Sequence, residues 1–153
     1  NPVRPPHQVV GAFSLEAAEK MAHALAGLSL KRGFVVHGAM GWDEATPIGP
    51  FHLFDVRPGS VTHEERDPAD VGIQRCAAAD LLGGDADENA RALEGLLNGV
   101  PGAHRSAVCL SAGLALEVTG VAESLEEGVA LAAAALDAGK GATLLEALRK
   151  ESQ

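Results

Sequence analysis

The stretch QVVGAFSLEAAEKMAHALAGLSLKRGFVVH, residues 8–37, decides the fold of this chain. Its first apolar run, residues 8–12, predicts a short buried strand, and a second run, residues 34–37, predicts another. Ser14 is a typical helix N-cap, and the apolar residues after it recur every three or four positions, which predicts a helix. Strand, helix and strand in so short a segment predict a βαβ unit with parallel strands and a right-handed crossover. The residues expected on the buried face of the helix are Leu15, Ala18, Met21, Ala22, Leu25 and Leu28.

Two further strands follow the βαβ unit. Residues 51–57 and 60–65 are joined by Pro58-Gly59, a dipeptide that favours a turn. Polar and apolar residues alternate imperfectly along both runs, as they do in strands with one buried face. We therefore expect an antiparallel hairpin attached at an edge of the sheet.

The second half of the chain has the pattern of a helical region. Short turns are expected at residues 67–72, where Asp67 precedes Pro68, and at residues 77–82. Longer helices are expected at residues 86–98, 106–118, 124–138 and 142–149. The stripe expected to be buried in the first of them consists of Ala86, Ala90, Leu93 and Leu97. The second is apolar on nearly all sides, which predicts a buried helix, and Ser124 with Glu127 predicts a capping box for the third.

The fold class that follows is α/β, a βαβ unit with a parallel sheet plus an antiparallel hairpin, followed by a helical C-terminal half. We expect three layers around a sheet that lacks strands. The 153 residues are enough for one domain with a core, and 46% hydrophobic with 22% charged residues is typical of a globular chain. The first six residues include three prolines and no Met, which looks like a chain begun at an internal linker.

Charge and composition exclude several classes of function. The formal net charge of −9 argues against a nucleic-acid surface and against an anionic membrane surface. No apolar stretch is long and clean enough to span a bilayer, and no signal peptide is recognisable, so a cytoplasmic protein is expected. Cys76 and Cys109 lie far apart and outside any Cys-x-x-Cys pair, so neither a zinc motif nor a redox motif is predicted.

The segment HGAMGWDE, residues 37–44, is the strongest candidate for a functional site. It has the pattern of a strand end, a glycine-rich turn and two adjacent carboxylates. Oxygen ligands suit a hard cation such as Mg²⁺, and Asp43 with Glu44 at a strand end could hold Mg²⁺ next to a phosphate group. A solvated acidic turn is the alternative for the same residues.

Four segments resemble anthranilate phosphoribosyltransferases. HGAMGWDE resembles the His-Gly-x-x-Gly-x-Asp-Glu segment of that family, and LGGDADENA, residues 82–90, resembles its Gly-Gly-Asp-Ala-x-x-Asn-Ala segment. The third segment is NPVRP, residues 1–5, followed by QVVG at residues 8–11, and it resembles the Asn-Pro segment and strand that lead into the C-terminal half of that family. The fourth is SLEEG, residues 124–128, which resembles a late helix of the family. All four segments match the family in order and spacing. Three residues depart from the usual pattern, namely Met40, where Asp is common, Trp42, where a smaller aliphatic residue is common, and Ser111, where Asn is common.

The resemblance implies transfer of the phosphoribosyl group of phosphoribosyl pyrophosphate (PRPP) to anthranilate, with release of pyrophosphate, in tryptophan biosynthesis. It implies Mg²⁺ as cofactor, with Asp43 and Glu44 as metal ligands, and a homodimer in the intact enzyme. Residues 1–153 then form the C-terminal part of a nucleoside phosphorylase/phosphoribosyltransferase-type α/β domain. The helical N-terminal domain and the PRPP loop region of the family are absent from this chain, so we expect the chain alone to be inactive.

The remaining candidates are weaker. His37 could orient a carboxylate or contact phosphate, or it could be a structural histidine. Gly83-Gly84-Asp85 could bind an anion at a helix N-terminus, but a structural cap is favoured. His7, His52, His63 and His104 are expected to be solvated, and Cys109 is expected to be an inert core residue. No pairing of a nucleophile with a base is recognisable.

Two alternatives to the transferase remain open at this point. One is a nucleic-acid-binding homologue of the same fold without transferase activity, which the net charge of −9 disfavours. The other is a related nucleoside phosphorylase, whose phosphate-site motifs lie upstream of the segments present here. The 37–44 segment favours the transferase over both.

Overall fold

A computed structural model of the chain describes residues 3–152, and its centre is one four-stranded sheet. The strands lie in chain order across the sheet, as β1 (His7–Gly11), β2 (Arg32–His37), β3 (Phe51–Arg57) and β4 (Ser60–Arg66). Strands β1 and β2 are parallel, whereas β3 and β4 form an antiparallel hairpin that pairs with β2. The predicted βαβ unit and hairpin are both confirmed.

The described residues form five helices. They are α1 (Leu15–Ala26), α2 (Ala86–Leu97), α3 (Ala103–Thr119), α4 (Leu125–Asp137) and α5 (Lys140–Glu151). Three single turns of 3-10 helix, Ala39–Gly41, Pro68–Val71 and Ala78–Leu81, punctuate the connections. Asn1 and Pro2 of the NPVRP segment, which resembles the segment leading into the C-terminal half of the family, lie outside the described residues.

The two faces of the sheet have separate cores because neighbouring residues of a strand point to opposite sides. Val35 of β2 faces α1, and Phe34 and Val36 face α3. The α1 core consists of Ala12, Ala18, Ala22, Leu30, Val35, Phe54 and Val56. The α3 core consists of Phe34, Val36, Ala45, Phe51, Leu53, Ile73, Leu110, Leu114, Val118 and Leu125. Helices on both faces make the expected three layers.

Helices α3 and α4 approach each other closely through two glycines. A Cβ atom on Gly128 would lie 2.6 Å from the carbonyl oxygen of Gly113, which is shorter than a van der Waals contact. Any larger residue at either position would therefore separate the helices. A third buried cluster joins Leu96 of α2 and Cys109 of α3 to Ala132 and Leu136 of α4.

A buried ion-pair network connects the sheet to α3. Glu117 of α3 is 4% exposed and accepts hydrogen bonds from both terminal nitrogens of Arg66, at 2.6 and 2.9 Å. Arg32 donates to the Glu117 carbonyl at 2.9 Å and to both carboxylate oxygens of Asp55. Burial acts to lower the pKa of Arg66, but hydrogen bonds and charge from Glu117 and Glu64 outweigh it and raise the pKa above its usual value.

Three sequence predictions about burial are wrong in part. Leu15 and Leu28 of the α1 region are 40% and 59% exposed, because the helix buries its small residues against the sheet instead. In α2 the predicted stripe is largely exposed, with Leu93 at 44%, and Leu96 is its buried residue. Helix α3 buries one side only, and Val108 on its other side is 41% exposed. Glu127 also differs from the predicted capping box, because its carboxylate accepts from the N–H of residue 123.

The helices also bear on the membrane prediction. Within residues 3–152 no single helix is long and apolar enough to cross a membrane, while α4 and α5 together, bent by 61°, reach that length and composition as a broken pair.

Candidate metal site

A left-handed turn carries the chain from β2 to the acidic pair. The N–H of Gly38 donates to the Trp42 carbonyl at 2.7 Å, and the N–H of Trp42 donates to the Ala39 carbonyl at 3.3 Å. Between them Met40 has φ 60° and ψ 18°, and Gly41 has φ 84°. Left-handed backbone is easy for glycine and strained for methionine. The family commonly has Asp where this chain has Met40. A short polar side chain such as that of Asp tolerates left-handed backbone better than the side chain of Met does.

Two glycines bring the backbone of the acidic pair against the strand ends. A Cβ atom on Gly11, at the end of β1, would lie 1.7 Å from the carbonyl oxygen of Asp43. One on Gly38, just after β2, would lie 1.9 Å from the carbonyl oxygen of Glu44. Only glycine permits these approaches, so the pair is fixed at the carboxyl ends of two parallel strands. Open α/β sheets bind their ligands at that edge.

Both carboxylates of the pair are available to a ligand. Asp43 and Glu44 are exposed, and within residues 3–152 neither accepts a hydrogen bond or joins an ion pair. Mg²⁺ in proteins is commonly held by one or two carboxylates and keeps several waters. This pair fits that requirement. No group of three or more His, Cys, Asp or Glu side chains in the described residues is placed to hold a metal ion, so the pair is not part of a larger cage.

Two clefts border Glu44. The smaller, of about 280 Å³, is lined by both acids together with Gly11, Val36 and Ser111. A larger cleft, of about 550 Å³, is lined mostly by apolar groups and includes Trp42, Thr46, His104 and Val108. Thr46 is 1% exposed and its hydroxyl has no hydrogen-bond partner in the described residues. Trp42 and Ser111, two of the three departures from the family pattern, thus lie beside the acidic pair.

His37 is held by the backbone next to this turn. Its Nδ1 lies 2.8 Å from the Ala12 carbonyl oxygen, so the ring donates that N–H. The ring also stacks on His52 of β3, with centroids 6.2 Å apart. These contacts give His37 a structural role, and a contact with substrate stays a prediction.

The glycine-rich segment before α2 is a helix cap, as expected. Asp85 accepts from the Glu88 N–H at 2.8 Å, and Glu88 accepts from the Asp85 N–H at 3.1 Å. Asn89 occupies the N–H and the carbonyl of Gly84, both at 3.0 Å. The chain's own side chains therefore satisfy the groups that an anion would need.

Two of the other histidines differ from the prediction, whereas Cys109 agrees with it. His52 and His63 are not simply solvated: His52 is half-buried, and its Nδ1 lies 3.2 Å from Nε2 of His63. Pairing of β3 with β4 puts both on one face, which the register of the predicted hairpin could have indicated. Cys109 is buried as expected, and burial raises the pKa of its thiol, so the thiol stays protonated near neutral pH.

Comparison with known sequences identifies the protein family that this chain matches. The sequence model of the Glycosyl transferase family, a/b domain, matches residues 1–142. An anthranilate phosphoribosyltransferase of Desulforudis audaxviator is 47% identical over 139 residues, covering 91% of this chain and 40% of the relative. One of Solibacter usitatus is 43% identical over 148 residues, covering 97% and 44%. The chain thus spans less than half the length of these curated relatives.

Solved structures of anthranilate phosphoribosyltransferases also match this chain. The anthranilate phosphoribosyltransferase of Thermus thermophilus has a TM-score of 0.77 and 39% identity, covering 89% of this chain and 40% of that one. The Saccharomyces cerevisiae enzyme in complex with PRPP and Mg has a TM-score of 0.81 at 22% identity, which is evidence for the fold alone. These matches confirm the fold class and the resemblance that the four sequence segments indicate.

Proposed function

Because this chain belongs to the Glycosyl transferase family, a/b domain, we propose that it supplies the metal-binding acidic pair for phosphoribosyl transfer from PRPP to anthranilate. The products are the phosphoribosylated amine and pyrophosphate. One observation carries the proposal: Asp43 and Glu44 are exposed, have no side-chain partner within residues 3–152, and are fixed by backbone contacts at the carboxyl ends of β1 and β2.

The two side chains have a defined task in that reaction. Asp43 and Glu44 would hold Mg²⁺ through their carboxylate oxygens, and the ion would supply positive charge against the leaving pyrophosphate. The close approaches to Gly11 and Gly38 hold the backbone of both ligands before any substrate arrives, and such pre-positioning lowers the cost of reaching the reactive geometry.

The comparisons support the choice of substrates. The curated relatives at 47% and 43% identity are both anthranilate phosphoribosyltransferases. A fold relative has been solved with PRPP and Mg, and another structure of that yeast enzyme holds 4-fluoroanthranilate. The net charge of −9 continues to disfavour a nucleic-acid-binding homologue.

The chain alone should not turn over. It matches only 40–44% of the length of the first two relatives, and the resemblance assigns the PRPP loop and the anthranilate contacts to the upstream part. The resemblance implies a homodimer for the intact enzyme of the family, and for this chain that stays a prediction.

A chimera tests the proposal. The upstream part of the Desulforudis audaxviator relative is fused to residue 1 of this chain, and loss of anthranilate fluorescence is followed with PRPP and Mg²⁺. We expect turnover by the chimera and none by the 153-residue chain. The Asp43→Asn/Glu44→Gln variant should lose activity. Glu19→Gln, which alters an exposed carboxylate of α1, should not. Full activity in the double variant would overturn the role of the pair, and turnover by the isolated chain would overturn its inactivity.

A further inference from the structure

Three histidines lie on the α1 side of the sheet, beyond the end of the α1 core. His37 of β2 pairs with His52 of β3, and His63 of β4 pairs with Phe54 of β3. From this arrangement we propose that His52 and His63 form a two-histidine chelate for a divalent transition metal ion such as Cu²⁺, Ni²⁺ or Zn²⁺. This site is separate from the Asp43-Glu44 pair and does not depend on the transferase function.

The spacing of the two ring nitrogens is that of metal ligands. His52 Nδ1 and His63 Nε2 are 3.2 Å apart. Two imidazole nitrogens at about 2.0–2.1 Å from one ion lie about 2.9–3.4 Å apart when they subtend an angle of about 90–110°. An ion can therefore replace the hydrogen bond between the rings after small side-chain rotations, with the backbone unchanged.

The surroundings of the rings favour the ligand form. For both nitrogens to bind metal, His52 must carry its proton on Nε2 and His63 on Nδ1. Glu65 Oε2 lies 3.8 Å from His52 Nε2, on the side away from His63, and a carboxylate there stabilises that tautomer. The His63 ring stacks on Phe54 with centroids 4.4 Å apart and planes 10° apart, which holds it over β3.

The class of metal follows from the donors. Imidazole nitrogens prefer Cu²⁺, Ni²⁺ and Zn²⁺ over the hard cations Mg²⁺ and Ca²⁺, with Cu²⁺ bound most tightly. The described residues supply no third protein ligand in a suitable position, so water fills the other coordination positions. His63 is exposed and His52 is half-buried, so an ion reaches the site from solvent. An occupied site links the two strands of the hairpin.

The test is titration of the whole 153-residue chain, without a polyhistidine tag, with CuCl₂, NiCl₂ or ZnCl₂ in a calorimeter. We expect one ion per chain, with Cu²⁺ tightest. His52→Gln or His63→Gln should raise the dissociation constant at least about tenfold, because each removes one of two ligands. His23→Gln removes an exposed histidine of α1 and should leave binding unchanged, as should Asp43→Asn/Glu44→Gln.

Two measurements on the unaltered chain keep the test independent of variant folding. Ni²⁺ should broaden the NMR signals of His52, His63 and Phe54 before those of His23 and His104. Zn²⁺ should also raise the melting temperature, since a ligand that binds only the folded state stabilises it. The proposal is overturned if no ion binds, if the His52→Gln/His63→Gln double variant binds as well as the original, or if binding is lost in the Asp43→Asn/Glu44→Gln variant.

Discussion

Glu117 and the Asp43-Glu44 pair place the same chemical group in opposite environments. Glu117 is 4% exposed and engages two arginines, whereas Asp43 and Glu44 are exposed and engage no side chain in the described residues. A buried carboxylate without partners would be costly, so Glu117 is committed to its arginines. An exposed carboxylate costs nothing to leave unpaired, which keeps the acidic pair free for a cation. Stability and ligand binding are thus assigned to different carboxylates.

Removing the buried carboxylate should have the largest effect. Glu117→Ala removes the carboxylate that Arg66 and Arg32 share, and both arginines are half-buried. Because their charges then lack this partner, the free energy of unfolding should fall by about 3–5 kcal/mol. Urea denaturation of the original chain and of the Glu117→Ala variant measures this difference. Glu19→Gln, an exposed carboxylate, should change stability by less than about 0.5 kcal/mol. Equal effects of the two substitutions would show that the buried and the exposed carboxylate contribute alike to stability.

Removing the exposed carboxylates should affect activity and leave stability alone. In the chimera, Asp43→Asn/Glu44→Gln should lower kcat by about 10²–10³, the scale on which loss of one pre-positioned electrostatic contact slows an enzyme. Urea midpoints of the same variant should match those of the original chain. A large loss of stability would show that the pair has structural partners after all.

Moving the pair without changing its chemistry sharpens the comparison. Gly11→Ala forces a methyl group into the Asp43 carbonyl, so the turn must shift, at a cost of about 1–3 kcal/mol in unfolding free energy. Turnover by the chimera should fall although both carboxylates remain. Gly27→Ala is the matched control, because its Cβ would meet nothing closer than 3.5 Å and its φ is −84°. If Gly11→Ala behaves like the control, the close approach does not position the pair.

The strained turn residue offers a smaller effect of opposite sign. Met40 is 77% exposed in left-handed backbone, a conformation that costs most side chains about 1–2 kcal/mol and Asn less. Met40→Asn should therefore raise the unfolding free energy by up to about 1 kcal/mol, measured by urea denaturation. Leu148→Asn, at an exposed position within α5, should bring no gain, and a gain there would point to a general effect of polarity.

Removing the buried thiol of Cys109 should have the smallest effect. Burial raises the pKa of Cys109 above its usual value of 9.0; the charge of Arg105 acts to lower it, and the charge of Asp137 adds to the rise. Above that usual value the unfolded thiol ionises first, so stability present at neutral pH is lost as pH rises. The unfolding free energy should fall more steeply between pH 8.5 and 10 for the original chain than for Cys109→Ala, and parallel curves would contradict this.

Most of the fold could be predicted from periodicity and turn chemistry. The hairpin is one case: Pro58-Gly59 marks the turn, and the observed strands match the predicted ones to within a residue. Helix α2 shows where that reasoning stops. Its apolar stripe was expected to be buried, yet Leu93 is 44% exposed, because periodicity identifies an apolar face without specifying what covers it.

The site was only partly predictable, for a similar reason. Asp43 and Glu44 could be singled out because a local pattern carries them. His52 and His63 come together through cross-strand pairing, and the burial of Glu117 depends on two arginines from distant strands. A lone charge in the apolar run 106–118 is a signal that could have identified Glu117. Contacts of this kind depend on the assembled sheet.

The contacts of Gly11 and Gly38 with the next turn have one more consequence. Both glycines touch backbone carbonyls of residues 43 and 44, and neither contact involves a carboxylate. The scaffold therefore specifies where the two side chains start and leaves their chemical identity open. A protein engineer could replace the acids by histidine or cysteine and change the metal preference of this edge, while the supporting turn keeps its shape.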